Sequence, residues 1–474
     1  MIVNNKNESK DEREKFWPQW LAALALSLIV LNSGLVNGWS SPYLAQLTSM
    51  DSKSSLTLSD FEASWVASLL NLGRLIGAFT GAVMQGFLGR KIVLLFGAVP
   101  MAIGWICTII ASTVYWLYVS RFFLGIGSGI TWGSLTIYLG EIAHPSIRGA
   151  LISLNINVSS VGNVLGNVMG SYLPMKEFAY ISLVPNFLFL ALFTLIPESP
   201  YHHVQNGQIE KAEESLKWFR RTSEFKKEIQ DMLLYSGTLN MTFLQKLKEF
   251  RLPGNRKSAI IIIFLQLFCV FSMYNIFYSY LEIIIRKANV TIINPSTIVA
   301  ALGICPIATN FLSAYLVDKF GRRSLLMTSS IGVTISLLLL GLHFHLLSLN
   351  LSIDKLWILP LFSLFLFNVS FAYGLGCVPS TLVGELFPPN IKSFAGFAST
   401  ASAAVFNFST TRAYQPLIYL IGEKYVFLLC AIVVFLSLPF VYFLLPETKC
   451  KSLLEIQHCL SKKRENIETI KNTV

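Results

Sequence analysis

Long apolar stretches alternate with short polar ones along the whole chain, and this pattern predicts its secondary structure. Each of twelve stretches is about as long as the roughly 20-residue helix that crosses a bilayer. They are 18–38, 61–84, 91–112, 116–141, 149–173, 178–196, 258–281, 296–317, 324–346, 356–384, 393–420 and 425–445. The pattern therefore predicts an all-α membrane protein with twelve transmembrane helices.

The longest polar interruption separates the stretches into two groups of six. The predicted parts are an N-terminal tail (1–17), a first six-helix bundle (18–196), a linker (197–257), a second six-helix bundle (258–445) and a C-terminal tail (446–474). Within the linker, Gln208 to Arg221 has apolar residues at helical spacing, which predicts an amphipathic helix. It is either a solvated connection or a regulatory or docking element.

Composition excludes most soluble classes. The 474 residues are 53% hydrophobic and 13% charged, whereas an average soluble domain has about 25% charged residues. The sequence has no paired nucleophile and base, no metal-ligand spacing and no phosphate-binding glycine loop. We therefore expect no enzyme activity, no cofactor and no metal.

The net charge of +11 could indicate a nucleic-acid partner, but the positions of the charges favour another explanation. Of 37 Lys and Arg residues, 28 lie in the tails and even-numbered loops, six in odd-numbered loops and three in or near predicted spans. Basic residues accumulate on the cytosolic side of membrane proteins. The chain is therefore predicted to lie in the lipid bilayer, with both termini in the cytosol and without a nucleic-acid partner. The sequence leaves the oligomeric state open, and we take the chain to be a monomer.

The two groups of six stretches carry the same polar landmarks in the same order, as expected of a duplicated bundle. The pairs are Gly89-Arg90-Lys91 and Gly321-Arg322-Arg323, Glu141 and Glu385, Arg148 and Lys392, and Pro197-Glu198-Ser199-Pro200 and Pro446-Glu447-Thr448-Lys449. The acid and the base stand seven residues apart in both halves.

All these landmarks fall on the predicted cytosolic side. Exposed ion pairs contribute only about 0.2–1 kcal/mol each, so a carrier can make and break them as it opens. We predict one gating cluster of Arg90, Glu141 and Arg148 and a second of Asp318, Arg322, Arg323, Glu385 and Lys392. The alternative is that the basic residues only set the topology.

The motifs resemble those of the sugar porters of the major facilitator superfamily. The similar segments are Arg121-Phe-Phe-Leu-Gly-Ile-Gly-Ser-Gly with Tyr138, Glu141 and Arg148, then Asp318-Lys-Phe-Gly-Arg-Arg, PESP and PETK. Gly38-Trp39-Ser40-Ser41-Pro42 and Ser64-Trp65-Val66 resemble insect facilitated trehalose transporters more closely. The resemblance implies two six-helix bundles around a central substrate cavity.

Several positions depart from the sugar-binding pattern of that family. The family's amide and tryptophan positions fall on Ile156, Cys269, Val270, Pro306, Ser380, Ala403 and Ala404. Each sugar hydroxyl left without a partner in a dry site costs about 1–3 kcal/mol, so this loss weakens the case for ordinary hexose binding. The remaining candidate substrate-binding residues are Gln266, Asn275, Tyr280 and Asn407. Hydrogen bonding between helices is an alternative role for such an asparagine.

Two arginines lie inside predicted spans. Arg74 is near the middle of the second span, where a charge costs at least about 2.5–3.5 kcal/mol unless it meets water or a partner. Arg412 lies toward the outer end of the eleventh span, where its side chain could extend to the membrane surface.

These features favour a plasma-membrane carrier of a small sugar, trehalose or a hexose, that works by alternating access. No acidic residue lies in the middle of a predicted span, and a proton-coupled carrier needs a titrating group there, so we expect a passive facilitator. The alternatives are a carrier of another small solute, such as an organic anion attracted by Arg74 and Arg412, and a non-transporting sensor.

The orientation predicts which asparagines carry glycans. Asn289 and Asn350 each begin an Asn-x-Ser/Thr triplet in an odd-numbered loop, so we expect both to be glycosylated on the outer side. Asn7 and Asn240 begin the same triplet in predicted cytosolic segments and should remain unglycosylated. Glycosidase treatment of single Asn→Gln variants should show this as a mass shift, and a shift that depended on Asn7 or Asn240 would contradict the orientation.

Overall fold

A computed structural model describes residues 16–49, 56–222, 228–230, 232–233, 245, 248–290, 292–349, 356–449 and 455. For residues 314, 315, 318, 389, 390 and 393 it describes the backbone alone.

The first six crossings, here called the N-half, are single helices. They are α1 Trp17–Thr48, α2 Asp60–Phe87, α3 Arg90–Ile109, α4 Val114–Ile142, α5 Arg148–Tyr172 and α6 Met175–Phe193. Two linker helices follow, α7 Pro200–Gln205 and α8 Ile209–Arg220. Apolar residues of α8 form a small core with α7, because Ala212 and Leu216 pack with Val204.

The next six crossings, the C-half, include three that are divided into two helices. The elements are α9 Pro253–Phe271, α10 Tyr274–Lys287, α11 Pro295–Phe320, α12 Arg322–Ser348, α13 Ile358–Tyr373, α14 Val378–Leu386, α15 Pro389–Ile421, α16 Glu423–Phe435 and α17 Ser437–Leu444. Ten crossings are apolar enough to be recognised by hydropathy in the described residues. The other two, α5 and α15, contain many Asn, Ser and Thr residues that lower their mean hydropathy.

The seventh, tenth and twelfth predicted spans are present, but each is interrupted partway along. Between α9 and α10, Met273 adopts a left-handed backbone conformation with φ +70°. Between α13 and α14, the chain turns at Gly374 and resumes just before Pro379. Between α16 and α17, Pro439 follows the break, and proline cannot donate the hydrogen bond that would continue a helix. Hydropathy averages over such single-residue interruptions and cannot detect them.

The first helix is longer than predicted, since it continues ten residues beyond 38 and contains Pro42. Packing explains the extension. Trp39 and Tyr43 are buried, and the Tyr43 hydroxyl donates a hydrogen bond to the Leu173 carbonyl at 2.9 Å.

Small residues let two helix pairs of the N-half approach closely. On α1, a Cβ added to Gly34 would lie 2.3 Å from the Ser159 carbonyl oxygen of α5 and 2.8 Å from the Gly162 Cα. Gly73 of α2 and Gly125 of α4 face each other in the same way. Close backbone packing of this kind is how membrane helices associate where water supplies no hydrophobic driving force.

The halves meet along three helix pairs, α2 with α15, α5 with α11 and α1 with α10. We call the membrane side that carries Arg90 and Arg322 the charged face and the other side the opposite face. Toward the opposite face, one apolar core joins both halves through residues such as Trp39, Tyr43, Tyr280 and Ile284. A second core near the charged face belongs to the N-half and the linker helix α8. The halves are therefore packed together mainly toward the opposite face.

The α1–α5 contact predicts a position-specific loss of stability. Gly34→Ala forces a methyl group onto the Ser159 carbonyl and should destabilise the protein by about 1–3 kcal/mol, the usual cost of overpacking. Gly140→Ala on α4 is the matched control, because no heavy atom lies within 4 Å of its added Cβ. Thermal unfolding in detergent measures both, and equal melting temperatures would contradict the packing argument.

Candidate functional site

A cluster of charges holds α3, α4 and the start of the linker together at the charged face. Arg90 donates to one Glu141 oxygen from Nε at 3.1 Å and from Nη2 at 3.0 Å. Ser199 donates to the other Glu141 oxygen. Glu198 accepts the backbone N–H groups of Arg90 and Lys91 at 3.0–3.1 Å. We call Arg90, Glu141, Glu198 and Ser199 the N-cluster.

The C-half repeats this arrangement. Arg322 donates to Glu385 from Nε at 3.1 Å and from Nη2 at 2.9 Å, and Thr448 donates to the other Glu385 oxygen at 2.6 Å. Glu447 accepts the backbone N–H groups of Arg322 and Arg323 at 3.1 Å. Arg322, Glu385, Glu447 and Thr448 form the C-cluster.

Glycine is required at the start of both clusters. Gly89 and Gly321 have φ values of +92° and +84°, a region that strains other residues. A Cβ on either glycine would also lie 2.5–2.8 Å from a carboxylate oxygen of Glu198 or Glu447. Because glycine has no side chain to cap the helix that follows, these distant carboxylates bind the N-termini of α3 and α12. A negative charge there stabilises a helix by about 0.3–2 kcal/mol.

The other predicted gating residues lie beside these clusters. Arg148 donates to the Ala143 carbonyl at 3.4 Å, and its Nε is buried without a partner in the described structure. Lys392 is exposed next to Gly384. Arg323 donates to the Tyr442 carbonyl and lies 4.7 Å from that ring. The side chain of Asp318 lies outside the described residues. The structure therefore places Arg148 in a different contact from the predicted Glu141 cluster.

His202, which the sequence pattern did not predict as a site residue, extends the N-cluster. Its Nδ1 lies 3.1 Å from Arg90 Nη1, and since a guanidinium can only donate, Nδ1 accepts. Burial lowers the pKa of His202 below its usual value. The ring is therefore neutral near pH 7, as this hydrogen bond requires.

Amide and hydroxyl side chains meet between the halves near the middle of the helices. Asn275 donates to the Thr411 hydroxyl at 2.9 Å, and Asn71 approaches the same oxygen from the N-half at 3.5 Å. Asn407 donates to the Tyr274 hydroxyl at 2.8 Å, and its Oδ1 is buried without a partner in the described structure. We call Asn71, Tyr274, Asn275, Asn407 and Thr411 the polar seam.

The other two candidate substrate-binding residues flank the seam. Gln266 donates to the Ser399 hydroxyl at 2.8 Å, which joins α9 to α15. Tyr280 is fully buried 5.1 Å from the Tyr414 ring, and its hydroxyl has no partner among the described residues. A buried polar group in this state costs about 1–3 kcal/mol. The Tyr280 hydroxyl can therefore donate or accept one further hydrogen bond, and the Asn407 carbonyl oxygen can accept one.

Two arginines lie deep in the N-half. Arg74 donates to Asn71 at 3.3 Å and to Asn37 of α1. Arg121 of α4 is 1% exposed and donates to the Val36 carbonyl at 3.1 Å and to Ser40. In the sequence, Arg121 is one residue of a motif, although its place inside an apolar stretch is a sufficient signal of a buried charge.

Arg412 of α15 joins the halves at the opposite face. Its guanidinium lies 4.4 Å from the Phe61 ring and 4.7 Å from the Trp65 ring of α2. It also donates to Ser64 at 2.8 Å. The side chain is therefore held in an aromatic contact between the halves.

Of the predicted glycosylation sites, Asn289 is exposed after α10, with φ +54°. Asn350 lies outside the described residues. In the part of the chain that the structure describes, no three His, Cys, Asp or Glu residues are grouped as metal ligands.

If the Arg412 contact holds the halves together, its removal should make the opposite face more accessible to reagents in water. Arg412→Met keeps the apolar stem but removes a cation–π interaction worth about 0.5–2 kcal/mol. A single cysteine at Ser68, one turn deeper on α2, should then react about 2- to 30-fold faster with a membrane-impermeant reagent applied to that face.

The control is Lys424→Met, which removes a cation 4.9 Å from the Tyr425 ring within the C-half alone. This variant should leave the labelling rate at Ser68 unchanged. Equal acceleration in both variants would show that Arg412 does not hold the halves together.

Comparison with known proteins supports the architecture. Residues 19–460 match the family model described as "Sugar (and other) transporter". A facilitated trehalose transporter of Bombyx mori is 29% identical over 98% of this chain and 91% of its own length. One from Drosophila virilis is 30% identical over 96% of this chain, which spans about half (50%) of that longer protein.

The fold is also that of a solved transporter. An inward-open structure of the xylose transporter of E. coli superposes with a TM-score of 0.76 at 21% identity and covers 93% of this chain and 99% of its own. The predicted fold class, twelve helices in two six-helix bundles, is thereby confirmed. The chain therefore belongs to the sugar transporter family of the major facilitator superfamily and is a multi-pass membrane transporter, not an enzyme.

Proposed function

We propose that this protein is a passive carrier of a small sugar, trehalose or a hexose, that works by alternating access in the plasma membrane. The polar seam is the observation that carries the proposal. It brings amide and hydroxyl groups from α2, α10 and α15 to one place between the halves. Those are the groups that replace the hydration of sugar hydroxyls. The Asn407 Oδ1 and Tyr280 hydroxyl atoms, which have no described partner, could each form one more hydrogen bond to a sugar.

The substrate range is also supported by relatives, which are named as facilitated trehalose transporters and align over nearly the whole chain. Within the proposed site, Gln266, Asn275, Tyr280 and Asn407 are the substrate-binding residues. Three of these side chains are already oriented by Ser399, Thr411 or Tyr274.

The proposed gate is at the charged face, which we infer is cytosolic because basic residues concentrate there. Among the described residues, the ion pairs Arg90–Glu141 and Arg322–Glu385 each join helices of one half. They keep each half rigid while the halves move. Arg148 begins α5, and Lys392 lies near the start of α15. Neither side chain belongs to these two ion pairs. They are the basic groups available to bind the other half when this face closes.

The distribution of titratable groups supports passive transport. Arg74 and Arg121, the deep charges, cannot exchange a proton at ordinary pH. Glu141 and Glu385 are ion-paired at the charged face, and Glu62 caps the first turn of α2. Glu282 is bound to Arg286 at 2.7 Å, about one and a half turns before the end of α10.

Transport in proteoliposomes tests the proposal. Uptake of radiolabelled trehalose or glucose should follow its own gradient and stop at equal concentrations, and an imposed pH gradient should not change this. The E. coli xylose transporter, which shares this fold, is a proton:xylose symporter, so proton-driven accumulation is the alternative outcome.

Accumulation driven only by a proton gradient and abolished by a protonophore would overturn the passive mechanism. Glu282→Gln is the informative variant in that case, because Glu282 is buried and its Oε2 has no described partner. Loss of accumulation in this variant would identify Glu282 as the proton-coupled group. Absence of uptake of either sugar would instead overturn the proposal of sugar transport.

A further inference from the structure

The N-half holds two positive charges inside the membrane whose described contacts are all with neutral groups. Arg74 binds the amide oxygens of Asn71 and Asn37. Arg121 binds the Val36 and Val66 carbonyls and Ser40. Both side chains bind the same stretch of α1, at Asn37 for Arg74 and at Val36 and Ser40 for Arg121. Buried charges normally pair with an opposite charge, so this part of the protein has an excess of positive charge.

The two arginines differ in what they can still bind. Arg121 is enclosed, since it is 1% exposed and the Trp39 ring lies 4.7 Å from its guanidinium. Arg74 is partly exposed, and a guanidinium has five N–H donors, of which its two described contacts use two. Arg74 is therefore the member of the pair that can bind a solute.

Arg74 also lies at the proposed sugar site. Its partner Asn71 is part of the polar seam and approaches Thr411 of the C-half. From the C-half, the phenols of Tyr274 and Tyr278 lie within electrostatic reach of the Arg74 guanidinium. Tyr274 is the hydroxyl that binds Asn407. A solute bound at the seam would consequently touch the Arg74 guanidinium.

The closing of the halves around a solute determines which solute fits. While the site is open, water solvates the Arg74 charge. When the halves close, that water is displaced, and a neutral sugar supplies hydrogen bonds but no counter-charge. A carboxylate supplies both, and a guanidinium binds it through two parallel hydrogen bonds. One available guanidinium matches one carboxylate group.

We propose that Arg74, held by Asn37 and Asn71, forms a carboxylate subsite beside the polar seam, so that the preferred solute is a sugar acid with one negative charge. This rests on the proposed function of the seam as a sugar site. The seam binds the hydroxyl groups and Arg74 binds the acid group.

The test compares D-glucuronate with D-glucose, which share the ring but differ by the carboxylate. Binding is measured by isothermal titration on the purified full-length protein, so that it does not depend on transport. The protein should bind glucuronate at least ~10-fold more tightly than glucose, as expected of charge-assisted hydrogen bonds. Arg74→Gln should abolish the preference, and Arg74→Lys, which keeps the charge, should retain part of it.

Arg412→Gln is the matched control, because this second intramembrane arginine is held between Phe61 and Trp65. It should leave the glucuronate-to-glucose ratio unchanged. If the Arg74 variants fail to fold, the unmodified protein still gives a result. In proteoliposomes its glucuronate uptake should increase with an inside-positive potential, while its glucose uptake should not.

The outcomes separate this inference from the proposed function. Glucose uptake without measurable glucuronate binding would overturn the carboxylate subsite and leave the sugar carrier intact. Arg74-dependent glucuronate binding without uptake of any sugar would retain the subsite and overturn the carrier. A preference for glucuronate that survives Arg74→Gln would also overturn the subsite.

Discussion

Inside a bilayer, a backbone polar group that loses its helical partner cannot turn to water, and the rest of this structure depends on that constraint. It makes every crossing helical and confines interruptions to places where protein surrounds them. The break at Met273 illustrates this, because its N–H bonds to Val270 at 3.0 Å and its carbonyl accepts from Phe277 at 2.9 Å. The break lies directly before Tyr274 and Asn275, so the polar seam begins where the helix is interrupted.

The same constraint separates the protein into regions of different chemistry. Where helices need only pack, the N-half uses glycine, as at the contact between Gly34 and α5. Where polar side chains enter the membrane, they bind one another across helices, as Asn275 and Thr411 do. The two crossings with the weakest hydropathy, α5 and α15, both contact the other half. Polarity in these helices is therefore associated with the interface that must move.

Charges at the charged face follow a different rule, because water is available there. Each half builds one ion-paired cluster in which a carboxylate from the end of the last helix binds the N-terminus of the third. This cross-link fastens the sixth crossing to the third within a half and leaves the halves separate. A rigid-body movement of two such halves is consistent with a core shared mainly toward the opposite face.

The local sequence pattern was sufficient to predict the number of membrane crossings, their order and the duplicated polar landmarks. Mean hydropathy identifies a crossing because it is averaged over a stretch of about 20 residues. Glu141 and Glu385 can be recognised by the fixed number of residues between each of them and the next landmark base. Short-range signals of this kind also located α8. They could not show the interruptions at Met273 and Gly374, which depend on single backbone torsions.

Tertiary structure alone decided which distant groups meet. Arg412 binds Ser64 across 348 positions of the chain, and Asn407 binds Tyr274 across 133. Arg148 and Glu141 are close in sequence, yet Arg148 turns to the Ala143 carbonyl while Arg90 takes Glu141. In the sequence Arg121 is one residue of a motif, whereas in the structure it is a buried charge that donates hydrogen bonds to α1. Hydrophobicity and charge are properties of one residue and its neighbours in the chain, whereas a partner is fixed only when helices pack, and for that reason the contacts of the site had to come from the fold.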